Sequence, residues 1–391
     1  MLSATSLRRG LYGVIPALLL SPSLAYADWA LNMTEGVTPY SKEVYGLHMA
    51  ILGVCTVIGI LVFGMILVSI IKFRKSQGAV PATWHHSTAA EIIWTAIPIL
   101  ILVVMAFPAT KALVMMEDTA HSAMTIKVTG YQWRWGYDYV EDGIEIFAGL
   151  DEASNRARQI NSGIDPVSVD NYLLETDNHI VIPSGTKVRI LTTAADVIHS
   201  WWVPDLGWKR DAIPGFVNES WFEVESGKEG VYRGQCAELC GKDHGFMPIV
   251  VEVVTPAAYK EWVADMKARQ VASAELTQKT WTAAALQTHG RKVYEANCMS
   301  CHQADGQGIP GIFPAMAASQ TLNGPLADHV NLIIQGKAGT VMTGFGPLLN
   351  DADIAALISY STQTWGDTAR VVQPAEVAEL RGARRAVVSA N

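Results

Sequence analysis

Hydrophobic positions enter this chain as uninterrupted runs and only later as alternations. Leu11 to Leu20 is apolar, follows Arg8 and Arg9, and leads to Ala25-Tyr26-Ala27, a small-x-small site before Asp28. The pattern reads as a cleaved export signal over residues 1–27. A short membrane anchor is the competing reading, but the run is too short to cross a bilayer comfortably. Met49 to Ile71 and Ile92 to Ala109 contain no charge. Each can cross a hydrocarbon core of roughly 30 Å, the second once Ala89 and Ala90 are added, so spans are expected over residues 47–71 and 90–110. Pro98 and Pro108 fall inside the second run, where membrane helices tolerate proline if neighbours satisfy the freed carbonyls. The connection carries Lys72, Arg74 and Lys75, which puts it in the cytoplasm and both outer ends on the other side.

From Met124 the period changes to two. Tyr131, Trp133, Trp135, Tyr137 and Tyr139 occupy odd positions with Gln132, Arg134 and Asp138 between them, as on one face of a single strand. Further strand-like runs are Lys187–Thr192, Val197–Val203, Ser220–Val224, Gly230–Gly234 and Pro248–Val254. Short strands without helices between them imply a β-sandwich or barrel. The polar stretch Asp151–Asp170 reads as an exposed loop. After Pro256 the texture is helical. The expected architecture is a multidomain membrane protein: an N-terminal segment and two-helix transmembrane hairpin (28–115), an all-β sandwich (116–255), a helix and linker (256–285), an all-α unit (286–366) and a solvated, disordered tail (367–391).

Composition narrows the picture a little. The chain has 391 residues, 50% hydrophobic and 17% charged, which suits a few spans attached to soluble units better than a polytopic carrier. The formal charge is -8, or -10 (-8 minus 2) without Arg8 and Arg9. That balance argues against a nucleic-acid partner, whose phosphates would be repelled.

The most informative stretch runs from Cys236 to Met247, with Cys236, Cys240, His244 and Met247 in the order Cys-x3-Cys-x3-His-x2-Met. His199 lies upstream at the start of a strand-like segment. Sulfur with imidazole favours copper, zinc or iron–sulfur, and a weak Met ligand marks electron-transfer copper. One cysteine would serve a mononuclear site. Two thiolates can bridge two copper ions, with one histidine for each, Met247 as a weak outer ligand and the Glu238 carbonyl completing the second ion. Competing readings are a Cys236–Cys240 disulfide, a zinc site, or Met247 as simple packing.

Cys298-Met299-Ser300-Cys301-His302 is the C-x-x-C-H attachment sequence for c-type haem. Two thiols one helical turn apart can add to the porphyrin vinyl groups, and the adjacent imidazole can bind the iron. A thioredoxin-like pair would need a βαβ context, and half a zinc site would need a second ligand pair.

With these residues in view, the stretch from Pro39 to Tyr259 resembles cytochrome c oxidase subunit II, supported by Glu91-Ile-Ile-Trp94, Gly130-Tyr-Gln-Trp-Arg-Trp135, His199-Ser-Trp-Trp-Val-Pro204, Asp211-Ala-Ile-Pro-Gly215 and the cysteine loop. The resemblance implies a cupredoxin sandwich with a dinuclear copper centre (CuA) held by His199, Cys236, the Glu238 carbonyl, Cys240, His244 and Met247. It also implies electron uptake at Trp133, a magnesium ion shared with subunit I through Glu238, and a place for Glu91 near the mouth of a proton channel in subunit I. For Glu91 a bland role competes, because Thr88-x-x-Glu91 reads as a helix-capping box. Residues 287–365 resemble class I cytochrome c, which implies a covalent haem c on Cys298, Cys301 and His302 with Met342 as distal ligand. Thr343 stands where that family usually has proline, and Met316 is a second distal candidate. A His/Met pair raises the iron potential.

The implied activity is that of an oxidase subunit that takes electrons from cytochrome c or a similar donor and passes them to subunit I, with subunit III a further partner, in a bacterial inner membrane with both cofactor-bearing units on the periplasmic side. An electron-transfer module of nitrous oxide reductase is the runner-up, but its catalytic cluster needs a histidine-rich domain and this chain has 10 histidines. A copper chaperone would need neither the hairpin nor the haem. Glu141, Asp142, Glu145, Asp151 and Glu152 form an acidic cluster, read either as a dock for a basic cytochrome domain, the fused one or a soluble donor, or as a solvated loop.

Overall fold

The structure is a computed structural model that describes residues 32–389 apart from 160, 318, 338, 339, 341, 343 and 347, and apart from the side chains of 383–389. The export signal expected over 1–27 lies outside the described residues. Helices α1 (Pro39–Lys72) and α2 (Thr88–Glu117) are each apolar and long enough to span a membrane. Pro98 and Pro108 sit inside α2 without ending it. Both helices outrun the expected spans because their outer turns dock on the sandwich. Thr38, the N-cap of α1, donates its hydroxyl to the Leu206 carbonyl at 3.1 Å. At the end of α2 the Met115 carbonyl accepts the Trp221 indole N–H at 3.0 Å, and Arg210 pairs with Glu117 at 2.9 Å. The cap of α2 is Ser87, whose hydroxyl accepts the Ala90 N–H at 3.4 Å, so the expected box between Thr88 and Glu91 does not form. Glu91 lies in the first turn, where an acid favours the helix dipole.

Ten strands build the sandwich: β1 (Met124–Tyr131), β2 (Arg134–Tyr139), β3 (Ile144–Ala148), β4 (Ile180–Pro183), β5 (Val188–Ala194), β6 (His199–Val203), β7 (Trp208–Ala212), β8 (Asn218–Phe222), β9 (Gly230–Cys236) and β10 (Pro248–Val254). They form two sheets, ordered β3-β2-β1-β5-β8 and β4-β10-β9-β6-β7. Trp135, Tyr137, Tyr139, Trp201 and Phe222 are fully buried between them.

The odd-numbered aromatics do not share one strand. Tyr131 pairs with Arg134, so Gln132 and Trp133 form a two-residue turn and the chain reverses. The register then sets Ile126 and Val128 opposite Tyr139 and Tyr137 on the buried face, while Tyr131 packs on Phe147, 5.7 Å between ring centroids. The turn holds because the Gln132 N–H donates to Asp196 Oδ2 at 2.7 Å and Trp133 is drawn to the cysteine loop.

The stretch 151–170 is likewise more than a loop. Asp151 Oδ2 accepts the Ala153 and Ser154 N–H groups and caps α3 (Glu152–Ala157), and Ser154 is fully buried. Just beyond, Arg158 forms a buried ion pair with Asp243 at 3.2 Å.

After α4 (Pro256–Gln278), which packs Trp262 on Tyr139, comes the all-α unit: α5 (Ala283–Asn297), α6 (Met299–His302), α7 (Gln320–Asn323), α8 (Leu326–Gln335), α9 (Asp351–Trp365) and α10 (Pro374–Ser389). Helices α5 and α9 cross so closely that a Cβ on Gly290 would lie 2.0 Å from the Ala356 carbonyl oxygen. The expected disordered tail is instead helix α10. Val377 is fully buried, and Arg381 donates to Asp351 Oδ1 at 2.6 Å and to the Gly346 and Leu349 carbonyls at 2.9 Å each. Charged hydrogen bonds to partly buried carbonyls, together with burial of Val377, explain why a segment without aromatic residues orders. Arg381→Ala is expected to destabilise the helical unit by about 2 kcal/mol and lower its melting temperature by roughly 10 °C. Thermal melts of native and variant chains check this, and a shift near zero would remove α10 from the stabilising structure.

Candidate functional site

Strand order assembles the cysteine loop. β6 and β9 are neighbours with Trp201 opposite Cys236, so His199 at the start of β6 stands beside the end of β9. β9 and β10 pair with Gln235 opposite Pro248, which folds residues 237–247 back over that end of the sandwich. Cys236 Sγ then lies 3.8 Å from Cys240 Sγ, 3.3 Å from the Glu238 carbonyl and 3.9 Å from His199 Nδ1. Cys240 Sγ lies 3.6 Å from His244 Nδ1 and 3.5 Å from Met247 Sδ. All six residues singled out in the sequence therefore converge. Both cysteines are free thiols, and His199, Cys236 and Cys240 lie close enough together to hold a metal ion. The donor set of thiolates, imidazoles, a thioether and a carbonyl suits copper, and Met247 is part of it, which a zinc site would leave unexplained.

The surroundings orient these donors. His199 is fully buried, and its Nε2 meets Asp196 Oδ1 at 2.9 Å, leaving Nδ1 toward the sulfurs. A carboxylate behind a ligand imidazole fixes ring orientation and raises basicity. Burial opposes protonation of His199, but hydrogen bonds with Asp196 and Cys236 outweigh it and raise its pKa. The hydrogen bond between the two thiols pulls Cys236 down and pushes Cys240 up. One proton shared by two thiols leaves a thiolate poised for metal. Gly130 has a steric reason: a Cβ there would lie 2.7 Å from His199 Cδ2. The Cys240 carbonyl accepts the Gln132 side-chain amide at 2.8 Å and the Trp133 indole N–H at 3.1 Å, so Trp133 touches the loop directly. Asp196 and Gln132 were not singled out in the sequence. Their signal is only proximity to His199 and Trp133 in the chain. Glu91 lies on the membrane hairpin, apart from this cluster, and the Glu238 side chain is exposed.

Beside the loop is a cavity of about 1000 Å³ lined by Cys298, Cys301, His302, Ile333, Met342, Phe345 and Leu357 from the helical unit, and by Trp133, Arg134, Arg158 and Phe246 from the sandwich. His302 Nδ1 meets the Pro314 carbonyl at 3.0 Å, which leaves Nε2 available. Burial lowers the His302 pKa, keeping the neutral form that binds metal, and burial pushes Cys298 up to about 12. Free thiols, a neutral imidazole and apolar walls fit a covalently attached haem. Met342 lines the cavity and is held by the Lys337 N–H donating to its carbonyl at 2.8 Å, whereas Met316 packs on the helical core. Among the acidic residues, Glu141 accepts the Thr125 N–H at 2.7 Å, Asp142 accepts the Tyr259 hydroxyl at 2.7 Å, and Asp151 caps α3. Glu152 pairs with Arg156 at 3.7 Å. These contacts stay within the sandwich and α4, and the polar contacts between sandwich and helical unit use other residues.

The sequence matches the family described as cytochrome C oxidase subunit II, transmembrane domain, over residues 26–112, and that described as cytochrome C oxidase subunit II, periplasmic domain, over 124–254. A protein of Rickettsia prowazekii named "Probable cytochrome c oxidase subunit 2" is 43% identical over 237 residues, 60% of this chain and 72% of that one. The chain belongs to the cytochrome c oxidase subunit II family. The corresponding protein of Rickettsia bellii is 41% identical over 252 residues, 63% of this chain and 89% of its own. The crystal structure of the periplasmic domain of subunit II of Bradyrhizobium japonicum cytochrome oxidase is 38% identical, with a TM-score of 0.34, covering 39% of this chain and 98% of that one. Residues 284–360 match the family described as cytochrome C oxidase, cbb3-type, subunit III, so this subunit II carries a cytochrome c-like domain at its C-terminal end.

Proposed function

We propose that this chain is the electron inlet of a cytochrome c oxidase, with a dinuclear copper centre (CuA) in its sandwich and a covalent haem c in its helical unit. The observation that carries the reading is the convergence of His199, Cys236, Cys240, His244 and Met247 within 3.9 Å neighbour to neighbour, beside a cavity lined by Cys298, Cys301, His302 and Met342. When bound, the two groups would supply the one-electron chemistry by which the chain would take electrons from cytochrome c or a similar donor and pass them to subunit I, the expected place of oxygen reduction.

The chain's own residues do the holding and orienting. Cys236, Cys240, His199, His244, Met247 and the Glu238 carbonyl would hold the copper centre. Asp196 fixes the His199 ring, and Trp133 contacts the loop through the Cys240 carbonyl. Cys298 and Cys301 would attach the haem covalently, and His302 and Met342 would be its protein ligands. The Glu238 side chain is free to reach a magnesium ion shared with subunit I, and Glu91 to stand near a proton channel there. Subunit III is a further partner. Lys72 at the end of α1 and Arg74 and Lys75 after it support a cytoplasmic connection, and so both cofactor-bearing units on the periplasmic side of a bacterial inner membrane. Affinity purification of the full chain from its membrane tests the reading. Copurification with a large haem-containing subunit, and oxygen consumption driven by reduced cytochrome c, is expected. A chain that purifies alone and supports no oxygen consumption would refute it.

A further inference from the structure

The sandwich and the helical unit meet through contacts with a one-sided chemistry. From the sandwich, Arg134 Nη1 donates to Asn297 Oδ1 at 2.6 Å, and Lys242 Nζ donates to the Ser300 carbonyl at 3.1 Å. Asn155 Nδ2 adds a longer contact to the Glu295 carbonyl at 3.5 Å. The same cations face rings of the helical unit: Arg134 lies 5.5 Å from the Phe345 centroid and Lys242 lies 5.4 Å from that of Phe313. In each of these contacts the donor or cation belongs to the sandwich, and the acceptor is a carbonyl, an amide or a ring face.

Their positions matter more than their number. Asn297 precedes Cys298, and Ser300 lies between Cys298 and Cys301, so both acceptors sit on the attachment turn. Lys242 is two residues from Cys240, and Arg134 follows Trp133. Each cation is braced from its own side. Asp243 pairs with Lys242 at 3.1 Å and with Arg158 at 3.2 Å, and Arg134 stands in the field of Asp177.

We propose that Arg134 and Lys242 are docking residues that clamp the attachment turn of the fused unit onto the copper loop, holding the two centres in one fixed relation. The inference rests on the reading of the two centres given above. Because the acceptors are neutral and the cations partly desolvated, the clamp resists salt, unlike an encounter steered by exposed charges of opposite sign.

The test compares the intact native oxidase with Arg134→Gln, Lys242→Gln and the double variant. One readout is the EPR relaxation of the copper signal with the haem oxidised and then reduced, which reports proximity without turnover. The other is the rate of haem-to-copper electron transfer after flash reduction, at low and high salt. Losing a charge-assisted hydrogen bond lowers the docked-to-undocked ratio by about tenfold or more. The variants are therefore expected to lose the relaxation enhancement, to transfer at least about tenfold more slowly in the double variant, and to keep both native spectra. Arg134→Lys keeps the charge but not the planar fork, so it restores only part of the rate. The Lys242 side chain is 36% exposed, so its replacement is tolerated by the fold and keeps the test decisive. Native relaxation and native transfer in the double variant, with both spectra intact, would overturn the clamp. Absence of the copper or haem signature from the native chain would overturn the reading of the centres instead.

Discussion

Replacing Cys236 by serine is expected to abolish the dinuclear copper signal and to cut turnover of the assembled oxidase by at least about a hundredfold. Changes in the layer behind metal ligands already cost about 10–100-fold, and Cys236 is itself central to the cluster. Its sulfur is the atom that lies near Cys240, His199 and the Glu238 carbonyl together. A serine oxygen is hard and its alcohol stays protonated, so it neither bridges nor attracts copper as a thiolate does. The copper-to-chain ratio by elemental analysis should fall, while the c-type haem band should persist because Cys298 and Cys301 are untouched. A Cys236→Ser oxidase with native copper content and turnover would contradict the bridging role. Cys240→Ser is expected to behave alike, since Cys240 faces His244 and Met247 at 3.6 and 3.5 Å.

The second large effect concerns the distal methionine. Met342→Leu should convert the haem from low spin to high spin, lower its potential and let it bind carbon monoxide, because the leucine offers no sulfur to the iron. Met316→Leu should leave spin state and ligand binding unchanged and cost under about 1.5 kcal/mol of stability, as volume-conserving core swaps do. The distinction follows from placement: Met342 lines the cavity that His302 also lines, and Met316 packs on the helical core. Visible spectra of the ferric and carbon monoxide-treated ferrous chains read both outcomes. A high-spin Met316→Leu with a low-spin Met342→Leu would reverse the assignment.

What was legible in the sequence was what stays local. Uncharged runs announce the two membrane helices, and the donor side chains from Cys236 to Met247 fit in one loop, so their convergence needs no knowledge of the sheet. His199 is different. Only the adjacency of β6 and β9 brings it to Cys236, and the sequence offered it on residue type alone, as the second imidazole.

Alternation misled where a two-residue turn changed which face odd positions occupy. Tyr131 and Trp135 are both odd, yet the register puts Gly130, not Tyr131, opposite Trp135. The segment 151–170 looked like a loop because its order comes from capping by Asp151 and an ion pair from Arg158 to Asp243, 85 residues away. Helix α10 was hidden for a similar reason: its anchor is Arg381 on carbonyls of another segment, which no periodicity registers. The acidic cluster drew attention because charge is conspicuous in a sequence. The actual contacts place cations on neutral carbonyls and rings, a pairing that composition does not signal.

The most direct test of the central claim is a combined EPR and visible spectrum of the full chain in detergent, loaded with copper and matured with haem. A hyperfine pattern from one electron shared over two coppers, together with a low-spin c-type haem band, is the predicted result. A single-copper pattern, or a silent spectrum from a folded and copper-loaded chain, would mean that the loop of Cys236 and Cys240 is not a dinuclear centre.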